Sequence, residues 1–286
     1  MKSRRQLGAH FAIAALSAAA GWGCGSDETV DSHPNSDASD AHVDPTLLVS
    51  PREAEDLDPD PQVLHARLVA APAVHSIGGR EVDGYAYNGQ TPGPTLRAKL
   101  GDRLRVELEN QLDEPTTIHW HGMSVPYDMD GVTWKREPIA PGASFAYEFP
   151  LTHAGTFWYH PHFNSKGQVD RGLYGVVIVE DPAEPEVEDL VVVFDVWDEG
   201  EPVPGGGSHG TSDAAMPPMS HTETPDLSRA TWTTNSIVRP RAILEGGKAV
   251  RVRLLNAGSL GYVDLRWPSM RQIASDQGLS ARTAKW

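Results

Sequence analysis

The sequence predicts an all-β protein built as Greek-key sandwiches or barrels, and three observations carry that expectation. Apolar and polar residues alternate with period two: Leu104, Val106 and Leu108 interleave with Arg103, Arg105, Glu107 and Glu109, and Phe145, Tyr147 and Phe149 repeat the pattern. The chain holds 27 Gly and 23 Pro in 286 residues, which favours short strands joined by tight turns over long helices. No stretch carries a helical period.

The N-terminus reads as an export signal over residues 1–24. Lys2, Arg4 and Arg5 are basic, and the apolar stretch from Phe11 to Ala20 is too short to span a bilayer. Ser3-Arg4-Arg5-Gln6-Leu7 resembles a twin-arginine signal, and Cys24 behind Gly23 resembles the lipid-attachment cysteine of a bacterial lipoprotein. The expected location is therefore periplasmic or cell-envelope, with membrane contact only through a lipid at Cys24. Cys24 is the sole cysteine, so the rest of the chain can form no disulfide and no cysteine-ligated metal site. The net charge of −15 leaves no basic stripe for nucleic acid. Residues 25–61 are rich in Asp, Ser, Pro and Glu and read as a flexible tether, with His33 and His42 solvated.

A first domain is expected over 62–182. Thr156 to His160 and Gly175 to Val179 read as deeply buried strands, and Thr91-Pro92-Gly93-Pro94 and Ala140-Pro141-Gly142 read as turns. A second block is expected over 187–286, from the apolar run Leu190 to Val196 and the alternation of Val250, Val252 and Leu254. Between these runs lies a polar loop, Gly205 to Pro225. The segment from Gly101 to Asn110 matches that from Gly247 to Asn256 at an offset of about 146 residues, which suggests two copies of one β domain. By that repeat the second domain should close about 40 residues beyond Trp286, so it is expected to be incomplete here. The tail from Ser280 to Trp286 is expected to abandon strand patterning.

The chemistry lies in two His-x-His pairs. His119-Trp120-His121 follows a polar turn, and His160-Pro161-His162 follows the buried run Thr156-Phe157-Trp158-Tyr159. Residues i and i+2 of a strand share a face, so each pair offers two imidazoles to one side. Imidazole suits copper, zinc, iron and nickel alike. Other candidates read as structural or solvated: His65, His75, His153, and the loop residues His209, Met216, Met219 and His221.

His119-Trp-His-Gly122, Met129-Asp130-Gly131, Pro138-Ile-Ala-Pro-Gly142, Ala154-Gly-Thr-Phe-Trp-Tyr-His-Pro-His162 and Gly172 to Pro182 together resemble the first cupredoxin domain of multicopper oxidases. The second block resembles that family's copper-free middle domain more loosely. At the repeat offset, Leu265 and Trp267 stand where His119 and His121 stand in the first copy. The resemblance implies copper as cofactor, with His119 a type 2 ligand and His121, His160 and His162 type 3 ligands. It implies that Asp130 is the acid that feeds protons to bound oxygen. The family's type 1 copper needs a thiolate and its cluster needs further histidines. Neither is present, so a half site is expected, and this chain alone should not complete oxygen reduction.

The expected function is thus a copper-dependent oxidoreductase coupling one-electron oxidation of a phenol, amine or metal ion to reduction of O2 to water. Its partners would be O2 and a small reducing substrate, plus whatever supplies the remaining ligands. The alternative is a non-catalytic periplasmic copper-binding or carrier lipoprotein.

Overall fold

The computed structural model describes residue 44 and residues 46–134, 136–198, 230–259, 261–265, 270–275 and 278–285. The signal segment with Cys24, His33, His42 and the loop carrying His209, Met216, Met219 and His221 lie outside the described residues.

The strands follow where the sequence alternates. The first sheet has the order β2-β1-β4-β6, from Arg80–Tyr87 (β2), Val63–Ile77 (β1), Arg103–Asn110 (β4) and Ser144–Pro150 (β6). The second has the order β3-β8-β7-β5, from Gly93–Lys99 (β3), Gly175–Glu180 (β8), Gly155–His160 (β7) and His119–His121 (β5). Leu64, Ala66 and Leu68 of β1 and Leu104, Val106 and Leu108 of β4 face Leu96, Trp120, Phe157, Tyr159, Val177 and Val179 of the opposite sheet in one core. Each such leucine contributes about 2 kcal/mol by leaving water. The fold is a cupredoxin-type β-sandwich. One short helix, Ser165–Val169 (α1), and one 3-10 turn, Tyr127–Met129, interrupt it. Five residues are too few to leave a periodic trace in the sequence.

The second sheet is buried on both faces, which explains the unbroken apolar run from Gly175 to Val179. Its outer face, with Tyr174, Val176, Ile178 and Trp158, packs against Val191, Val193, Leu255 and Ala257 of a second unit. That unit is the sheet β10-β9-β11, from Ala230–Thr234 (β10), Glu188–Asp198 (β9) and Val250–Asn256 (β11). It reproduces β2-β1-β4 in sense as well as order: β9 is antiparallel to β10 and parallel to β11, as β1 is to β2 and β4.

The repeat reaches further than the ten matching residues. Asn88 and Asn235 both adopt positive φ after β2 and β10. Asn88 Oδ1 accepts from the Val69 amide and its Nδ2 donates to the Arg67 carbonyl. Asn235 does the same to Val193 and Val191. Asparagine tolerates the left-handed region and bonds neighbouring backbone there, so one residue suffices to set each turn.

Two expectations are corrected. The tether does not extend to Pro61. Leu48 is buried against Val192 and Phe194, Leu47 bridges Arg241 and Glu53 bridges Thr95. Aspartate side chains there accept from backbone amides, and Ser50 accepts from the Val191 amide at 3.0 Å. A few backbone bridges and one buried leucine order a segment whose composition alone suggested freedom. Nor does the tail abandon strand structure, because Gly278–Lys285 (β13) pairs antiparallel with Arg271–Ser275 (β12). Ladder bonds to a partner strand need no alternation of side chains.

The seam between the units holds a buried acid. Asp195 of β9 accepts from the Tyr174 hydroxyl at 2.5 Å and the Val196 amide at 2.7 Å, with Asp170 the charged group nearby. Burial, reinforced by Asp170, pushes its carboxyl up to about 7. The folded protein thus holds a proton that the unfolded chain releases near pH 4, so this group's contribution to stability falls as pH rises through that window. Asp195→Asn is expected to be more stable than the parent at pH 7.5, by up to about 4 kcal/mol, and to match it at pH 4. Urea melts at both pH values check this, and a pH-independent difference would contradict it.

Candidate metal centre

Antiparallel pairing of β5 with β7 sets His119 opposite His160, Trp120 opposite Tyr159 and His121 opposite Trp158. Alternation then sorts the faces. Trp120 and Tyr159 enter the core, and the three histidines gather on the other side with Trp158. Ligand nitrogens of His119, His121 and His160 lie within 4.8 Å of one another, the metal-ready cluster among the described residues. His162, beyond the end of β7, stacks its ring on His119 with centroids 3.9 Å apart. All four sequence-predicted histidines therefore meet at one end of the second sheet.

Hydrogen bonds select which nitrogen faces the centre. His119 Nδ1 donates to the Asp130 carbonyl at 3.0 Å, with the Asp130 carboxylate Oδ1 at 3.1 Å. His160 Nδ1 donates to the Pro161 carbonyl at 3.0 Å. A carbonyl only accepts, so Nδ1 carries the proton in both rings and Nε2 keeps its lone pair. His160 Nε2 is buried and has no hydrogen-bond partner. An orphaned buried nitrogen is costly unless something binds it, and a soft or borderline metal ion is the chemistry a cluster of neutral imidazoles fits. Burial pushes His160 down to about 3, and the neighbouring imidazoles act in the same direction. His162 is lowered by burial and by His119. His160 is thus neutral, and able to ligate, in mildly acidic solution.

Asp130 reaches the site because Gly131 does. Gly131 has φ +74°, and a Cβ there would lie 2.0 Å from the Ile118 carbonyl oxygen. Only glycine lets this loop lie against the strand leading into β5. The family resemblance implied that Asp130 feeds protons to bound oxygen; the structure places its carboxylate against the His119 ring, where it orients the imidazole.

Several residues at the site were assigned no role from the sequence. The Tyr147 hydroxyl accepts from the Ile118 amide at 2.9 Å, and the Thr117 hydroxyl accepts from the His162 amide at 2.8 Å. Trp158 stacks on His160 at 4.1 Å and lies 5.1 Å from His121. It stands two residues before His160, so strand period alone could have placed it on the ligand face. The other described histidines lie elsewhere. His65 pairs with Glu107 at 3.1 Å, His75 meets the Tyr85 carbonyl at 3.0 Å, and His153 meets the Thr152 hydroxyl at 2.9 Å.

Residues 69–184 match the family model described as "Multicopper oxidase". The chain belongs to the multicopper oxidase family. It is 40% identical over 137 residues to multicopper oxidase MmcO of Mycobacterium tuberculosis, covering 47% of this chain and 27% of that protein. It is 30% identical over 246 residues to copper resistance protein A of Pseudomonas syringae pv. tomato, covering 70% of this chain and 40% of that one. Among solved structures, a multi-copper oxidase from Pseudomonas thermotolerans superposes with a TM-score of 0.60 at 36% identity, over 70% of this chain and 47% of the other. The chain thus spans about a quarter to two fifths of the curated relatives it matches. The multicopper oxidase relatives imply copper as the metal. Among the described residues no helix is long and apolar enough to cross a membrane.

Proposed function

We propose that this chain supplies half of a trinuclear copper centre in an exported oxidase, with His119 as the type 2 ligand and His121, His160 and His162 as type 3 ligands. The orphaned, buried Nε2 of His160 within a cluster of imidazoles is the observation that carries the reading. Copper held there would supply the one-electron redox steps that link oxidation of a phenol, amine or metal ion to reduction of O2 to water. Trp158 walls the imidazoles on the side of the second unit and keeps water from His160. Asp130 holds His119 in the tautomer that leaves Nε2 free, and its partly exposed carboxylate is placed to take up and return a proton at Oδ1. Leu265, at the repeat position of His119, is no ligand, so the four imidazoles all come from the first unit. The sole cysteine is Cys24, which leaves residues 25–286 without a thiolate for electron uptake. Turnover therefore depends on ligands from beyond this set, and export with lipid attachment at Cys24 completes the proposal.

The test is copper loading of the full chain followed by oxygen uptake with a phenol, with and without a polypeptide carrying the family's remaining ligands. Retained copper with oxygen uptake only in the complemented sample is expected. Retained copper without uptake in either sample favours a carrier, and no retained copper overturns both readings.

A further inference from the structure

We infer that Gln168 is a positioning residue for the copper site, acting through Thr116 and Thr117 on His162; the inference rests on the copper reading above. Gln168 lies on α1, six residues after His162, and is fully buried, as are Thr116 and Thr117. Its carboxamide is used on both sides. The Thr116 hydroxyl donates to Oε1 at 2.7 Å, and Nε2 donates to the Pro115 carbonyl at 2.8 Å. The next residue, Thr117, accepts the His162 amide. Chain and hydrogen bonds thus close a ring: His162 to Gln168 along the backbone, Gln168 to Thr116, and Thr117 back to His162.

The ring matters because His162 lies outside the ladder. His119, His121 and His160 sit in the paired strands β5 and β7, whose register fixes them. His162 follows β7, and Asn164 two residues later has positive φ. Without the ring its amide would be set only by a two-residue extension from His160, the end of β7. Buried polar groups that are paired, Gln168 with Thr116 and the Pro115 carbonyl and Thr117 with the His162 amide, hold a unique geometry better than apolar packing, since each alternative arrangement leaves a buried group unpaired. Gln168 also ties α1 to the Pro115–Thr116 segment that leads into β5, while the adjacent Val169 packs in the cluster shared with Val191 and Val193 of the second unit. The stacking of His162 on His119 is the geometry this ring sets.

The experiment uses the full chain, first metal-free and then loaded with Cu(II) alone. Gln168→Met keeps the length and removes both amide bonds, Thr117→Val removes the acceptor, and Thr117→Ser keeps it. In metal-free protein, amide hydrogen exchange at His162 is expected to quicken about tenfold in Gln168→Met and Thr117→Val, with β4 amides unchanged. With Cu(II), both are expected to change the nitrogen hyperfine pattern of the electron paramagnetic resonance spectrum and to weaken binding by about 10–100-fold. Thr117→Ser is expected to retain the parent spectrum. A parent-like exchange rate and spectrum in Gln168→Met would overturn the inference. If Gln168→Met does not fold, identical behaviour of Thr117→Val and Thr117→Ser overturns it instead. Failure of the parent chain to bind Cu(II) would sink the copper reading, and the exchange measurement would still decide whether Gln168 holds His162.

Discussion

Gly131→Ala is expected to destabilise the protein by roughly 3–5 kcal/mol and to release Asp130 from His119. Two effects add. The backbone at Gly131 has φ +74°, a region an L side chain enters at a cost of about 1–2 kcal/mol. The new Cβ would also lie 2.0 Å from the Ile118 oxygen and 2.5 Å from its carbon, both backbone atoms that no rotamer change can move. The loop must retreat, and the two oxygens on His119 Nδ1 belong to that loop. Gly142 provides the control. Its φ is +75° and a Cβ there meets nothing within 4 Å. Gly142→Ala should therefore cost only the backbone part, about 1 kcal/mol. Equal losses in thermal or urea melts of the two variants would contradict the steric account of the Asp130 loop.

His160→Leu is expected to separate stability from metal binding. Copper affinity should fall by more than about 100-fold, because the removed imidazole is the most buried of the trio. The metal-free protein, in contrast, should hold or gain about 1 kcal/mol, since a buried nitrogen without a partner is replaced by an apolar group. The pH dependence gives a second reading. His160 is pushed down to about 3 in the folded protein, against an ordinary value near 6.5. Below that ordinary value the unfolded chain binds a proton the folded one refuses, so stability is lost as pH falls from 6.5 toward 3. His160→Leu should lose that acid sensitivity. A metal-free variant that melts well below the parent at neutral pH would mean that the histidine is a structural residue.

Much of this was legible in the residues themselves. Alternation placed β4 and β6, and the unbroken apolar run placed β8 in a sheet covered on both faces. The His-x-His spacing placed two imidazoles per strand on one side, which the pairing of β5 with β7 then joined. What the sequence did not display was everything that depends on register. Nothing in Asn235-Ser236 resembles Asn88-Gly89 strongly enough to extend the repeat, yet the two asparagines make the same bonds. Thr117, Tyr147 and Gln168 are common residue types whose roles appear only when distant segments meet. The tether misled because composition averages over a segment, whereas order from Thr46 onward comes from Leu48, Ser50 and a few backbone bridges. The strand at 278–285 was missed because a hairpin needs backbone pairing more than pattern.

The most direct measurement is X-ray absorption at the copper edge of the Cu(II)-loaded full chain, beside a variant with His119, His121, His160 and His162 all replaced by alanine. A nitrogen shell near 2 Å with the outer-shell scattering of imidazole, absent from the variant, is the expected result. A shell without imidazole scattering, or a variant that binds copper as the parent does, would contradict the four-histidine centre.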